Sequence, residues 1–294
     1  MTSIESKVFV VGVPRSGTTL VQSLLASHPS VYATRETHLM VNVRRPPTPL
    51  RTWLLDYVWL NQQRVQSALE YLREQCPELY RAYETQQPSF RSLAGAARAL
   101  DTLFSTAALA QQKTAWVEKS PEHGGYVPVL EKSIPEAVFV HTIRDPRDNV
   151  ASLYDAGQKY AHRWKNRQSL EQCIGTYRSY LEKSQACLSR DPQRHYFVVY
   201  EDLIEQPEAQ TEALLSFTRL KKVSVDLATL NSGAATLSDA TEGWKKEQGP
   251  GIQDTRLVKY SQLFDEEQKQ QIEAATSKLH QQLVTAIRTR QPTR

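Results

Sequence analysis

The chain has 294 residues, 40% of them hydrophobic and 23% charged, with a net charge of +4. That length buries a sizeable core and suits an ordinary globular protein rather than a disordered or fibrous one. The mild positive charge does not argue for a nucleic-acid partner and is compatible with an anionic ligand.

The N-terminal stretch sets the theme. Val8 to Val11 is an unbroken apolar run ending at Gly12, which reads as a strand buried on both faces of a parallel sheet. Gly12 and Gly17 bracket Val13, Pro14, Arg15 and Ser16, and Thr18 and Thr19 follow. Leu20, Val21, Leu24 and Leu25 then recur at helical spacing, and the helix is expected to stop before His28-Pro29. Strand, glycine loop and helix together form an anion-binding device, because loop N–H groups converge and the helix N-terminus adds positive charge. In the nucleotide-triphosphate loop a lysine follows the second glycine. Here Thr18 stands in that place and the cation lies inside the loop as Arg15. A triphosphate with Mg²⁺ would lose its main lysine, whereas a terminal phosphate needs only the N–H cradle and the hydroxyls of Ser16, Thr18 and Thr19.

Further along, Val31 and Tyr32 read as a short strand and Arg35 to His38 as a polar segment beyond it. Pro46, Pro47 and Pro49 then break the chain between Arg44-Arg45 and Arg51. A helical excursion is expected over about 41–112, marked by Trp53, Leu54, Tyr57 and Val58 and by Leu93, Ala97, Leu100 and Phe104. It is read as an insertion within a single domain spanning 1–294, and as the place where substrate selectivity would lie. Thr114 to Lys119 is a second strand, Gly124 to Ser133 a connecting helix and Ala137 to Ile143 a third strand. Asp145 and Pro146 suit the N-cap and first position of the next helix. A polar helix is expected over Ser169 to Arg190, a fourth strand over His195 to Tyr200, and a helix from Pro207. Ser232 to Thr255 reads as a loop, and Asp265 with Gln268 as a capping box opening a last helix to about residue 288.

Alternating strands and helices imply a three-layer α/β fold, a parallel sheet flanked by helices on both faces. Ligands bind such sheets beyond the carboxyl ends of the strands. Arg15, Glu118, Lys119, Arg144 and Tyr200 are all expected there. Arg144 at a strand end and Ser152 on the following helix could together clamp a second phosphate.

Val11-Gly12-Val13-Pro14-Arg15-Ser16-Gly17-Thr18-Thr19, then Arg144-Asp145-Pro146-Arg147 with Ser152, then Val199-Tyr200-Glu201-Asp202-Leu203, resembles the sulfotransferases in motif and order. These enzymes move a sulfuryl group from 3′-phosphoadenosine 5′-phosphosulfate (PAPS) to an acceptor hydroxyl and release the desulfated nucleotide, PAP. The resemblance implies a P-loop-like sulfotransferase fold. It implies that Arg15, Ser16, Gly17, Thr18 and Thr19 hold the 5′-phosphosulfate, that Arg144 and Ser152 hold the 3′-phosphate, and that Tyr200 belongs to the same site. Lys259-Tyr260 resembles a basic-aromatic pair that closes on the nucleotide, and Gly243-Trp244-Lys245-Lys246 would belong to the same closing loop.

Within the family the chain looks nearer to the tyrosylprotein, carbohydrate and bacterial branch than to the small-phenol enzymes. Glu36 resembles the catalytic glutamate of the tyrosylprotein enzymes and Lys119 the family's catalytic lysine. Small-phenol enzymes place a histidine base two residues after that lysine; here Pro121 stands there, with His123 close by as an alternative. Glu36 is the carboxylate nearest that point in sequence, since Glu5 precedes the first strand and Asp56 lies in the excursion. Arg15 and Lys119 are the cations that would stabilise charge on the departing oxygen. No metal is required. The acceptor is a sugar, a peptide tyrosine, a lipid or a small metabolite. The competing readings are a nucleotide-loop kinase, which would want a lysine at position 18, and a non-catalytic nucleotide-binding protein, which would not need the base.

Other residues carry blander expectations. His38, two residues from Glu36, could assist it and is otherwise a surface histidine; His141 is expected to be a core histidine, and His28 a helix-end residue. Lys159, Arg163, Lys165 and Arg167 would form a solvated face. Cys76, Cys173 and Cys187 show no metal-ligand spacing, and the last two pack within one helix. Neither a signal peptide nor a membrane span is visible, which makes the cytoplasm the simplest compartment.

Overall fold

The computed structural model describes residues 3–44, 60–161, 167–223 and 256–291. The expected proline break at 46–49, the helical stretch around Trp53 to Val58, Arg163 and Lys165, and the loop over 232–255 with Gly243 to Lys246 lie outside the described residues.

A five-stranded parallel sheet forms the middle layer, in the order β2-β3-β1-β4-β5. Its strands are β1 (Ser6–Gly12), β2 (Val31–Ala33), β3 (Ala115–Lys119), β4 (Ala137–Ile143) and β5 (His195–Val199). β1 is central, pairing with β3 on one side and β4 on the other. Alternation along the strands then sorts side chains into two faces. Phe9, Trp116, Phe139 and Phe197 point into one core, and Phe9 stacks on Phe139 at 5.4 Å and meets Trp116 edge-on at 5.2 Å. Val8, Val10, Val117, Val140 and Val198 point into the other.

The second face is covered by α1 (Thr18–Ala26), through Leu24 and Leu25, and by α9 (Tyr200–Glu205) and α10 (Pro207–Phe217). The first is covered by the insertion between β2 and β3, comprising α2 (Leu39–Val43), α3 (Gln62–Gln75), α4 (Pro77–Gln86) and α5 (Leu93–Ala110). Its Leu69, Leu72, Leu100 and Phe104 join the same core as Phe9 and Trp116. α6 (Val127–Ser133), α7 (Pro146–Lys159), α8 (Leu170–Ala186), α11 (Val258–Leu263) and α12 (Glu266–Arg290) complete that layer.

Local chemistry explains the boundaries. Asp145 caps α7 by accepting from the Arg147 N–H, with Pro146 at the first helical position, and Asp265 and Gln268 form the anticipated capping box on α12. The stretch after β3 departs from expectation: Pro121–Tyr126 is a 3₁₀ turn, and α-helix begins only at Val127. Gly124 and Gly125 inside it favour a short, tight turn over a longer helix. Tyr200, expected as the last residue of β5, instead opens α9.

The core histidine expectation holds. His141 Nε2 and His195 Nδ1 share a 3.0 Å hydrogen bond, and His141 stacks on Phe197 at 4.7 Å. Burial, then the neighbouring His195, pushes the His141 imidazole well below its ordinary range. His28 ties the end of α1 to later backbone through Lys221 O and the Ser30 N–H. All three cysteines are buried and unpaired.

Candidate active site

The carboxyl ends of β1, β3 and β4 converge, and the loop after β1 is built from both sides. Gly12 has φ 147°, and a Cβ there would come within 2.4 Å of Thr142 Oγ1 on β4. Ser16, fully buried, places its hydroxyl 2.5 Å from the same Thr142 Oγ1, and its N–H donates to Val13 O. Asn149 Nδ2 donates to Pro14 O. Arg15 itself adopts a left-handed φ of 72°, uncommon for a side chain of this size. Its carbonyl accepts from Arg144, and its Nε donates to Ser152 Oγ at 3.1 Å. Arg15, Arg144 and Ser152, far apart in sequence, therefore meet at one point.

Gly17 caps α1 with φ 94°, and a Cβ there would lie 2.5 Å from the Tyr200 ring. Tyr200 in turn carries Arg144 over its face at 4.4 Å. Loop, ring and guanidinium form one stack. Gly17→Ala is expected to lower the unfolding free energy, read by denaturant titration, by at least about 1 kcal/mol through the left-handed backbone alone, plus the ring overlap. The same substitution in a Tyr200→Ala background should cost less; an equal cost in both would remove the ring from the explanation.

On the β3 side, Lys119 is wholly buried and its Nζ pairs with Glu36 Oε1, while also reaching Thr19 Oγ1 at 3.4 Å. Glu36 stands on the segment after β2, 14% exposed at the side chain. The structure thus brings the glycine loop, Thr19, Lys119 and Glu36 together, as it does Arg15, Arg144, Ser152 and Tyr200. Thr18 is buried at the head of α1. Lys259 lies on α11 and pairs with Asp155 of α7, one turn beyond Ser152.

Beside Glu36 lies a buried network that the sequence only hinted at. Glu118 faces the opposite side of β3 from Lys119 and accepts from Thr37 Oγ1, Ser120 Oγ and His123. Burial acts to raise its pKa, but contact with His123 and the hydrogen bonds of the two hydroxyls hold it below the usual carboxylate range. Ser120 Oγ also accepts from the His38 N–H, and Tyr71 OH donates to Glu36 O. His123 is fully buried, with Nδ1 on Glu118 and Nε2 accepting from the Met40 N–H. Both ring nitrogens serve the core.

His38 corrects an expectation. Its side chain is 25% exposed but engaged: its Nε2 lies 3.3 Å from Glu36 Oε2 and its Nδ1 3.4 Å from Glu122 Oε2. Glu122, on the 3₁₀ turn, went unremarked in the sequence because its neighbours are brought to it only by folding. Asp148 also went unremarked, although its spacing from Arg144 was an available sign; it sits 3.9 Å from that guanidinium and accepts from the Leu257 N–H. Burial raises the Asp148 carboxyl above its ordinary value. Among the described residues, metal-type donors gather at two places, Glu36 with His38 and Glu122, and His141 with Cys187 and His195. In the first His38 lies at ion-pair distance from both carboxylates; in the second the two histidines hydrogen-bond to one another.

Comparison with known proteins identifies the family and the fold. The model of the sulfotransferase family matches residues 7–223. A putative protein-tyrosine sulfotransferase of Caenorhabditis briggsae is 24% identical over 221 residues, 75% of this chain and 68% of the relative. The sulfotransferase domain of the Synechococcus PCC 7002 olefin synthase superposes with a TM-score of 0.60 at 19% identity, covering 97% of this chain and 96% of that one. A mouse sulfotransferase solved with PAP gives 0.50 at 10% identity, covering 97% and 90%. The two structural likenesses show the shared fold. No described helix is long and apolar enough to cross a membrane.

Proposed function

The chain belongs to the sulfotransferase family, and on that premise we propose that it moves a sulfuryl group from PAPS to an acceptor hydroxyl by in-line displacement, with Glu36 as general base. The observation that carries this reading is the pairing of Glu36 with buried Lys119 beside Thr19. It sets a carboxylate and a cation against the hydroxyl end of an anion-binding loop.

The residues fit the nucleotide. Arg144 Nε is buried without a hydrogen-bond partner, an unused donor that suits a phosphate oxygen. Ser152 stands beside it through Arg15. Arg144 and Ser152 would hold the 3′-phosphate, and the loop from Arg15 to Thr19 the 5′-phosphosulfate. The contribution of Ser16 is its backbone, since its hydroxyl is engaged with Thr142. Tyr200 would keep loop and guanidinium in register, and Lys259 would approach from α11.

PAPS supplies an activated sulfuryl group. Glu36 takes the proton of the acceptor hydroxyl as the new bond forms. Lys119 and Arg15 would stabilise the negative charge that gathers on the departing oxygen, and the burial of Lys119 strengthens its share. An acceptor hydroxyl of a peptide tyrosine, sugar, lipid or small metabolite suits this chemistry. We read the chain as one domain, with the 41–112 insertion shaping the acceptor side. Three buried, unpaired cysteines fit a reducing compartment such as the cytoplasm.

Thermal-shift titration tests the donor assignment. PAP is expected to raise Tm in the presence of a chelator, because protein groups make the phosphate contacts, and ATP·Mg²⁺ is expected to do much less. A shift that requires Mg²⁺, or that ATP matches, would overturn the assignment and favour a kinase.

A further inference from the structure

His38 is two residues from the base assigned above, yet that mechanism gives it no task. Its position is constrained from several sides. It caps α2 in a left-handed backbone, φ 47° and ψ 18°, with its N–H on Ser120 Oγ and its ring against Tyr71 at 6.0 Å. Both ring nitrogens face carboxylate oxygens, Glu36 at 3.3 Å and Glu122 at 3.4 Å. We propose that His38, held between Glu36 and Glu122, is the positioning residue that fixes the base carboxylate of Glu36; the proposal rests on the reading of Glu36 as base.

A neutral imidazole carries one N–H and one lone pair. Between two carboxylates, the lone pair would face an anion. Only the imidazolium presents a donor to each side. The surrounding charges favour it: Glu36 and Glu122 flank the ring, Glu118 lies behind Ser120, Lys119 sits on the far oxygen of Glu36, Tyr71 faces the ring from α3, and Arg167 and Tyr180 border Glu122. Burial works against the charged ring, but Glu122, then Glu36 and Glu118, raise it to about 9. Burial likewise works against the Glu122 carboxylate, and contact with His38 holds it below the ordinary range. The anions Glu36, Glu122 and Glu118 are thus set against the cations Lys119, His38 and Arg167.

The arrangement answers a need of the reaction. Lys119 holds one oxygen of Glu36, but the proposed mechanism also asks Lys119 to face charge on the departing oxygen. When it turns to that task, Glu36 needs a second holder, or its carboxylate loses its aim. The charge of His38 holds the other oxygen across 3.3 Å, and that of Glu122 holds His38 across 3.4 Å; these are ion-pair contacts, and Glu122 Oε2 has no hydrogen-bond partner. Each carboxylate oxygen keeps a further lone pair for the acceptor proton, so the grip leaves basicity at the site and fixes geometry.

The sign of the pH dependence follows. A ring whose pKa rises on folding contributes stability that is fully present below its unfolded value of 6.5 and is lost as pH rises through about 9. The positioning should fade over that upper step.

The test uses the full chain labelled with ¹³C at histidine Cε1, with His38→Gln identifying the resonance. The His38 midpoint is expected near 9 and should fall in Glu122→Gln and in Glu36→Gln. In parallel, PAP release from PAPS is followed against pH with water as the acceptor probe. The parent kcat should decline through the same midpoint, and Glu122→Gln should move that decline to lower pH. His38→Gln should lack the step and run about tenfold slower, with KM for PAPS unchanged. A parent midpoint near the ordinary value, or one that Glu122→Gln leaves in place, overturns the proposal. If Glu36→Gln abolishes turnover while His38→Gln and Glu122→Gln keep the parental kcat, the positioning role falls and the base assignment stands. If Glu36→Gln keeps the parental rate, the base assignment falls and the positioning role falls with it. Should His38→Gln fold poorly, the shift in Glu122→Gln decides alone.

Discussion

Glu36→Gln is expected to cut kcat by roughly 10²–10⁴ while leaving PAP affinity nearly unchanged. Gln keeps the size of the side chain and a carbonyl oxygen for Lys119, but it cannot take a proton. The acid limb of the kcat profile, which reports protonation of the base, should disappear with it. Lys119 is wholly buried and would lose its charged partner, so some stability is expected to go as well, since removing one member of a buried pair leaves an uncompensated charge. The rate must therefore be read per folded molecule, from active-site titration with PAP. Should Glu36→Gln retain more than about a tenth of the parental rate per folded molecule, a purely structural role for Glu36 would explain the pairing better. His123→Ala serves as the contrast. Both of its ring nitrogens are spent inside the core, on Glu118 and Met40. It is expected to lose stability and to keep its rate per folded molecule, the opposite of the Glu36 result.

Arg144→Ala is expected to weaken PAP binding by about 1.5–3 kcal/mol, the range for a hydrogen bond to a charged group. Calorimetry against PAP and against AMP, which lacks the 3′-phosphate, separates the causes. The parent should bind AMP poorly, and Arg144→Ala should lose little more with it. Equal losses for the two nucleotides would mean that Arg144 acts by supporting the loop, through Arg15 O and the Tyr200 ring, and not by contacting the 3′-phosphate. Ser152→Ala should lose less than Arg144→Ala, because a neutral hydroxyl is the weaker donor.

The parts of this site that were legible in the sequence are those written in short-range code. Gly12 and Gly17 announce a loop because their conformations exclude side chains, and the structure shows why: Thr142 crowds one and Tyr200 the other. Arg144 at a strand end and Ser152 on the next helix were legible because strand and helix periods place them. Asp145 and Asp265 announced their helices by capping chemistry. What stayed hidden depends on contacts between distant segments. Ser16 looks like a ligand hydroxyl until β4 brings Thr142 against it. His38 looks solvent-facing until the turn after β3 brings Glu122 to it. Tyr200 reads as the end of a strand because it continues an apolar run, yet it opens α9 and lays its ring on Gly17. The pairing of Glu36 with Lys119 is not written in the sequence, where the resemblance gives the two residues only separate roles. Nothing local to either residue requires it, since β2 and β3 are neighbours in the sheet but far apart in the chain.

Transfer of label from ³⁵S-labelled PAPS, in the presence of a chelator and a mixed panel of alcohols, phenols, sugars, tyrosine peptides and cell lysate, tests the central claim most directly. The expected result is a sulfuryl mass increment on a hydroxyl compound, with PAP released in step and both signals lost in Glu36→Gln. Intact PAPS across the whole panel, with a phosphoryl increment appearing instead when ATP·Mg²⁺ is supplied, would contradict it.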